Sequence, residues 1–239
     1  MRRGPRLLLL APGLFLLAAL AVAPTTSAAR PSSPVRLPAA GELISSEAAT
    51  RAAPDSHASL VRALHQLRPD GQFQVVLAVA ARRDADGRWW FELSLPGRPN
   101  GRRGWVRADL VDLHPVANRI VVDVAKRRIE VRRIGDGRLL LSGTVAVGKP
   151  GAETPLGRDF YVQERYVPKD PFYGTFVLVT SAYSKLSDWP GGGLAGIHGT
   201  DQPSLLGQAV SHGCVRVSNA VAMGLERLAP LGTPVDLLS

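Results

Sequence analysis

Apolar and polar residues alternate at a two-residue period through much of the second half of the chain. The alternating apolar positions are Ile120, Val122, Val124, Ile129, Val131, Leu139, Leu141, Val145 and Val147. Successive side chains of a strand point to opposite faces of its sheet, so this period predicts half-buried β-strands. Residues 176–180 form a further apolar stretch of strand length. We therefore predict a mainly β fold.

A helical pattern occurs only near the C-terminus. Val221, Leu225 and Leu228 are spaced four and three residues apart, which places them on one face of a helix. Ser218 or Asn219 precedes this run and is a favourable N-cap residue. The sequence predicts one short C-terminal helix.

Shorter apolar runs over 72–80, 89–95 and 105–113 precede this region, and turn-forming residues separate them. Asp-Gly at 86–87 and the Pro- and Gly-rich stretch 96–101 are strong turn signals between strands. This pattern predicts a small N-terminal β-barrel.

Residues 88–106 resemble part of the Src-homology-3-like barrels found beside bacterial wall enzymes, and we assign 57–116 to such a domain. The resemblance implies a wall-binding or positioning module. Alternatively, Trp89, Trp90 and Trp105 are core residues of the domain.

The N-terminal residues have the pattern of an export signal. Arg2, Arg3 and Arg6 precede an apolar run over 7–23 that ends in small residues, so we predict a signal peptide over 1–29. The alternative is an uncleaved N-terminal membrane anchor, because this run approaches the length of a bilayer span. Residues 30–56 are rich in Pro, Ala and Ser and are predicted to be a linker.

An excess of basic residues accompanies this signal, with 29 Lys and Arg against 20 Asp and Glu. On an exported protein, this charge suits an anionic wall or membrane surface. Nucleic-acid binding is not expected, because the arginines are scattered and no binding motif accompanies them. We predict a location in the cell envelope, outside the cytoplasm.

Cys214 is the only cysteine, so it cannot form an internal disulfide. A single cysteine in an exported protein indicates intermolecular pairing or a reactive thiol, unless it is an inert core residue. His198 and His212 precede it by sixteen and two residues. A neighbouring imidazole can generate the nucleophilic thiolate, so this grouping favours acyl transfer. A zinc site is disfavoured because the spacing fits no common structural zinc pattern. A purely structural role in core packing is also disfavoured, because glycines flank the two histidines.

The order of these residues along the chain narrows the enzyme class. Papain-like enzymes have the cysteine before the histidine, whereas here the histidine comes first. Sortases share the order histidine, cysteine and arginine, but there these residues are far apart. In this chain, residues 198–216 hold all three.

His198-Gly199-Thr200, followed by Ser-His-Gly-Cys-Val-Arg-Val-Ser-Asn at 211–219, resembles the signature of the L,D-transpeptidase (YkuD-type) catalytic domain. Gly148 and the Thr-Pro-Leu-Gly segment at 154–157 resemble further family segments, and 171–174 fall where members carry a substrate-covering flap. The resemblance covers about 120 residues, and we assign 117–239 to this domain.

The resemblance implies that Cys214 is the nucleophile and His198 the base. His212 is the rival base, because residues i and i+2 of a strand share a face. The backbone N–H groups of His212, Gly213 and Cys214 are expected to form the oxyanion hole, and the carbonyl of Gly199 is expected to orient His198.

Three further side chains are expected at the substrate: Arg216, Tyr173 and Ser211. Arg216 either binds a substrate carboxylate or braces its loop. The implied reaction joins the third residues of two peptidoglycan stem peptides through a Cys214 thioester, without a metal or organic cofactor, and carbapenem-type inhibitors are expected to acylate the cysteine. An L,D-carboxypeptidase or a non-catalytic wall-binding protein are the alternatives.

Overall fold

Two β-sheets dominate the described part of the chain. The computed structural model describes residues 35–186 and 192–239. The predicted signal peptide over 1–29 lies outside these residues. Within them, no helix combines the length and the apolar character needed to span a bilayer.

Seven strands form the N-terminal sheet, in which every pairing is antiparallel. Their bounds are β1 Ala39–Leu43, β2 Glu47–Arg51, β3 Leu60–His65, β4 Val75–Arg83, β5 Trp89–Ser94, β6 Arg103–Arg107 and β7 Val111–Pro115. Their order is β3-β2-β6-β5-β4-β1-β7. A 3₁₀ turn at Ala108–Leu110 joins the last two strands. The predicted β region is present, and its Src-homology-3-like identity stays a prediction.

The predicted linker over 30–56 is wrong for the residues that form β1 and β2. Strand β1 lies between β4 and β7, and its Ala39 and Leu43 are buried. A Cβ atom at Gly41 would lie 1.8 Å from the carbonyl oxygen of Asp112, so glycine permits the close approach of β7. Hydrogen bonds to strands on both sides hold this segment, although its small side chains give little apolar periodicity.

Eight strands form the second sheet, which curls into a half-barrel, and we call it the catalytic sheet. The strands of this region are β8 Asn118–Asp123, β9 Arg128–Arg133, β10 Leu139–Thr144, β11 Val147–Gly148, β12 Gly157–Tyr166, β13 Val177–Tyr183, β14 Leu194–His198, β15 Ala209–Ser211, β16 Val215–Arg216 and β17 Pro234–Leu238. The order in the sheet is β10-β9-β8-β17-β12-β13-β14-β16, and β11 pairs with β15 separately. The pairs β17–β8, β14–β16 and β11–β15 are parallel.

The alternating apolar residues of β8 and β9 fill the interior of this region, as predicted, whereas Leu139 of β10 is exposed, contrary to the prediction. Ile120 and Val122 of β8 are fully buried, as are Ile129 and Val131 of β9. The one α-helix among the described residues, α1 Asn219–Leu228, begins where the sequence predicts, and the Ser218 side chain accepts a hydrogen bond from the N–H of Val221. Short 3₁₀ turns lie at Pro171–Tyr173 and Pro203–Leu205. The mainly β prediction is confirmed.

The two sheets contact each other through both apolar and charged residues. Tyr161 of β12 is fully buried and packs with Val75 and Leu77 of β4. Arg103 of β6 donates to Asp159 of β12 at 2.8 Å. Burial of apolar surface and a partly buried ion pair therefore join the N-terminal and catalytic sheets.

Candidate active site

The end of the catalytic sheet brings the predicted histidine and cysteine together. In the parallel pair β14–β16, Ile197 is opposite Val215 and His198 is opposite Arg216. Cys214 comes just before β16, so it lies diagonally from His198 rather than directly across from it. The two residues nevertheless line the same cavity. Long-range pairing of two strands therefore joins residues separated by a loop.

The thiol of Cys214 is held against the backbone of β14. The N–H of Gly196 donates to the sulfur at an N···S distance of 3.4 Å. Burial raises the pKa of the Cys214 thiol above its usual 9, although the Gly196 hydrogen bond and the positive charge of Arg216 oppose this effect. The resting cysteine is therefore a protonated thiol.

His198 is buried in a defined tautomer. It is 2% exposed, and its Nδ1 lies 2.6 Å from the carbonyl oxygen of Gly199. A carbonyl can only accept, so Nδ1 carries the proton and Nε2 keeps a free lone pair. Burial lowers the pKa of His198 to about 4; the Gly199 bond opposes this shift and Arg216 adds to it. The imidazole is thus a neutral base at neutral pH.

A neutral thiol and a neutral imidazole are the stable pair in the resting site. Burial raises the pKa of Cys214 and lowers that of His198 to about 4, so both shifts disfavour a thiolate beside an imidazolium before a substrate binds. Proton transfer from sulfur is therefore expected to accompany attack on a substrate.

The turn over 211–214 is fixed by one serine and one glycine. Ser211 donates its hydroxyl to the carbonyl of Cys214 at 2.6 Å and accepts from the N–H of Gly213 at 3.2 Å. Gly213 has a φ of 113°, and a Cβ atom there would lie 2.9 Å from Cβ of Ser184. Glycine is therefore required on both conformational and steric grounds. In the resting protein the Gly213 N–H already donates to the Ser211 hydroxyl, so it is not free to donate to an oxyanion.

His212 lines the same cavity but is not on a strand with the cysteine. Strand β15 ends at Ser211 and β16 begins at Val215, so His212 and Cys214 belong to the intervening turn. His212 and Cys214 therefore do not share a strand face, contrary to the prediction from their i and i+2 spacing. Partial burial lowers the pKa of His212, and the positive charges of Lys149 and Arg216 add to this shift.

Aromatic residues of the 3₁₀ turn at 171–173 cover the site. The ring of Tyr173 meets that of His198 edge to face, with centroids 5.0 Å apart, and Phe172 lies 6.1 Å from His198. Burial, followed by the charge of a Cys214 thiolate, raises the pKa of Tyr173. The cavity beneath has a volume of about 20 Å³, which is close to the space that one water molecule needs.

Arg216 brings a buried positive charge to this cavity. It is 7% exposed, and its guanidinium lies over the ring of Phe172 at 4.6 Å from the centroid. Its Nε has no hydrogen-bond partner among the described residues. Its charge acts on Cys214, His198 and Tyr173. Arg216 is thus available to stabilise an anion.

Two further residues organise the site and were not predicted as site residues. Gly196 provides the N–H donor to the sulfur, but a backbone group leaves no signal in the side-chain pattern. Asn219 Oδ1 accepts from the N–H groups of Thr175 and Thr200, both at 3.2 Å. These bonds link the covering turn to the loop after His198. Asn219 lies in the predicted motif, so its position was the available signal.

Metal ligands do not gather around the cysteine. In the described residues, no group of three or more His, Cys, Asp or Glu side chains is arranged to hold a metal ion.

Comparison with known proteins identifies the family of this region. Residues 117–237 match the L,D-transpeptidase catalytic domain family, YkuD. The L,D-transpeptidase YkuD of Bacillus subtilis strain 168 is 27% identical over 128 residues, which are 54% of this chain and 70% of that protein. Its counterpart in Bacillus licheniformis is 33% identical over 100 residues, which are 42% of this chain but only 54% of that protein.

Solved structures of L,D-transpeptidases also match the chain. One from Mycobacterium tuberculosis H37Rv has a TM-score of 0.44 and 14% identity, and the match covers 70% of this chain and 90% of that one. The matched structures include complexes with imipenem and with avibactam. The family match extends over half of the chain and includes the whole cysteine and histidine motif. This chain therefore belongs to the L,D-transpeptidase family, with its YkuD catalytic domain at residues 117–237.

Proposed function

We propose that this protein is an exported peptidoglycan L,D-transpeptidase that cross-links the third residues of stem peptides through a thioester on Cys214. One observation carries the proposal. His198 is held with Nδ1 bonded to the Gly199 carbonyl, so its basic Nε2 is available in the cavity that Cys214 also lines. A thiol beside an oriented base is the arrangement that nucleophilic acyl transfer requires.

The first half-reaction consumes the donor stem. The sulfur of Cys214 attacks the carbonyl of the L,D peptide bond while its proton passes to Nε2 of His198. The tetrahedral intermediate then collapses, the C–N bond breaks, and the departing D-alanine amine takes the proton from His198. A thioester between Cys214 and the donor remains, and no electrons are exchanged with a cofactor.

The second half-reaction forms the cross-link. A side-chain amine of another stem attacks the thioester carbonyl and gives a proton to His198. The C–S bond breaks, and the sulfur recovers that proton. When water attacks instead, the product is a free tripeptide, which is the outcome of an L,D-carboxypeptidase.

The positive charge of Arg216 stabilises the anions that form during these two half-reactions. It lowers the pKa of Cys214 and also that of His198, so it stabilises a thiolate or an oxyanion and disfavours an imidazolium. A short-lived imidazolium returns its proton readily, which suits transfer to the leaving amine. Arg216 is also the candidate ligand for a substrate carboxylate.

Substrate entry requires the covering turn to move. The cavity of about 20 Å³ is far smaller than a peptide, and Phe172 and Tyr173 form one of its walls. We expect the turn at 171–173 to open for the stem and to close over the bound acyl group. Closure would exclude water and favour the amine over hydrolysis.

Incubation with defined tetrapeptide stems, followed by mass spectrometry, tests the proposal. We expect a cross-linked dimer and released D-alanine. Cys214→Ala should form no product while its thermal unfolding temperature stays close to that of the wild type. Full activity of Cys214→Ala would rule out the proposed mechanism, and tripeptide without dimer would identify a carboxypeptidase.

Reaction with a carbapenem provides an independent test of the nucleophile. Family membership leads us to expect acylation of Cys214, seen by intact-protein mass spectrometry as one adduct per chain that is absent from Cys214→Ala. A turnover-competent protein without an adduct would contradict this expectation. Cell fractionation tests the proposed export, which predicts the protein in the envelope rather than the cytoplasm.

A further inference from the structure

A loop of the N-terminal sheet holds the backbone at the edge of the active site. Asn100 lies between β5 and β6, and its side chain makes two hydrogen bonds to one residue of the catalytic sheet. Its Nδ2 donates to the carbonyl of Tyr183 at 2.7 Å, and its Oδ1 accepts from the Tyr183 N–H at 3.0 Å. Paired bonds to the N–H and the C=O of one residue fix the position and orientation of its backbone, as a strand partner would.

Arg98 of the same loop joins the chain leaving β13 to the chain entering β14. Its Nη2 donates to the carbonyls of Ser184 and Leu186 at 2.9 and 3.1 Å, and its Nη1 donates to the carbonyl of Gly192 at 3.1 Å. Its guanidinium also lies 4.7 Å from the ring centroid of Tyr183. Arg98 is exposed, so we expect it to contribute less than the half-buried Asn100.

The segments that Asn100 and Arg98 bond, at the end of β13 and before β14, both adjoin residues that contact Cys214 or precede it. Ser184 is buried against Gly213, the residue before Cys214, where a Cβ atom would lie 2.9 Å from the serine. The Ser184 N–H donates to the carbonyl of Gly193 at 2.8 Å, at the start of β14. Three residues further along the chain, Gly196 donates to the cysteine sulfur.

We propose that Asn100, assisted by Arg98, is a positioning residue that sets the geometry of the Cys214 turn and of the Gly196 donor from the N-terminal sheet. The inference rests on the proposed function, since it assigns these residues a part in the reaction of Cys214. Small displacements of reacting groups slow a reaction strongly, up to about 100-fold for about 1 Å. The N-terminal sheet is thus part of the catalytic apparatus, in addition to any contact with the wall.

Alkylation of Cys214 by iodoacetamide across a range of pH tests this role without a peptidoglycan substrate. We expect Asn100→Ala to slow alkylation at neutral pH by about tenfold and to raise the apparent thiol pKa, because the Gly196 hydrogen bond lengthens. With tetrapeptide stems, the kcat should fall while the KM stays near that of the wild type.

Asn118→Ala is the matched control, since Asn118 also donates to a backbone carbonyl, that of Leu228, at 2.8 Å. It should lose similar stability and keep the wild-type alkylation profile. Equal profiles for Asn100→Ala and Asn118→Ala would overturn the proposal. Wild-type protein that alkylates normally but does not turn over stems would instead contradict the proposed function.

A second pair of variants decides the question when Asn100→Ala does not fold. Arg98→Ala removes exposed contacts to the backbone at the site, whereas Arg103→Ala removes the ion pair to Asp159 between the same two sheets. We expect only Arg98→Ala to slow alkylation, by a few-fold. An equal effect in both would mean that the loop acts only through docking of the sheets, which would overturn the proposal.

Discussion

The N-terminal and catalytic sheets differ in what they bury. Among the residues that the structure describes, two of the buried polar or charged residues lie in the N-terminal sheet, Thr50 and Ser94. Eleven lie in the catalytic region: Thr154, Gln163, Thr180, Ser181, Ser184, His198, Thr200, Ser211, Arg216, Thr233 and Asp236. Burying polar groups costs free energy unless they are hydrogen-bonded. In the catalytic region several of them are hydrogen-bonded, among them Thr180, Thr233 and Asp236, and this region also holds the candidate site.

The two regions also differ in how their strands pair. All pairings in the N-terminal sheet are antiparallel, whereas three pairs in the catalytic region are parallel. Parallel neighbours need long connections. The connection between the parallel strands β14 and β16 holds the loop after His198 and the turn before Cys214, whereas the covering turn joins the antiparallel pair β12–β13. The catalytic region therefore carries its site on segments that the N-terminal sheet does not have.

The largest expected effect comes from removing the buried imidazole of His198. We expect His198→Ala to slow turnover of stems by roughly 10²- to 10⁴-fold, which is typical for loss of a general base. His212→Ala should cost about tenfold or less, because that residue lies in the turn. Turnover and thiol alkylation against pH measure both effects. If only His212→Ala raises the apparent thiol pKa, His212 is the base instead.

The next test concerns a buried carboxylate of the catalytic sheet. Asp236 is 3% exposed and accepts from Arg119 at 2.7 Å and from the Asp159 N–H at 2.9 Å. We expect Asp236→Ala to lower the free energy of unfolding by about 2–4 kcal/mol, because it removes one of the two carboxylates that neutralise Arg119 and leaves the Asp159 N–H without its acceptor.

Asp109 of the N-terminal region supplies the control for that variant. Its ion pair with Arg107 is exposed, so Asp109→Ala should change the free energy of unfolding by less than about 1 kcal/mol. Urea unfolding measures both variants. Equal losses would remove the distinction between the two regions.

A third test uses the pH dependence of stability. The pKa of His198 is about 4 in the folded protein and near 6.5 when the chain is unfolded. Between these values the unfolded chain binds a proton that the folded protein does not, so stability falls as the pH is lowered through this window. The full effect is about 3 kcal/mol.

Comparison of the wild type with His198→Gln isolates this contribution from that of other titrating groups. The wild type should lose about 3 kcal/mol more than the variant when urea unfolding is measured at pH 7 and again near pH 4. Parallel losses in the two proteins would show that His198 is not buried as a neutral base.

A fourth test concerns the core of the N-terminal sheet. Val106 of β6 is fully buried, and Val106→Ala should lower the free energy of unfolding by about 2 kcal/mol through lost apolar burial. Turnover per folded molecule should not change, in contrast to Asn100→Ala. A matching fall in turnover would extend the influence of this sheet beyond the loop at 96–101.

Much of this architecture was predictable from local patterns. The alternation over 120–131 predicted half-buried strands, and the spacing after Ser218 predicted the helix and its cap. The residues around Cys214 and His198 indicated acyl transfer, because a lone thiol beside histidines and glycines is chemically specific. Strands β1 and β2 were missed, since small and polar residues hide a strand that its neighbours stabilise.

Contacts between distant segments were not predictable in this way. Gly196 acts through its backbone, and Asn100 acts on a residue 83 positions away. No local periodicity records which strand becomes the neighbour of another, because that choice depends on how both sheets bury their apolar faces together.

By itself, the sequence determined which residues make up the candidate site: the candidate nucleophile, the candidate bases and the glycines, all within residues 198–216. Only the tertiary structure decided how they are arranged and protonated. Burial and the Gly199 carbonyl set the protonation state of His198, and the turn before β16 separates His212 from the strands. Reactivity depends on solvent exclusion and on hydrogen-bond partners, and both arise when distant strands pack together.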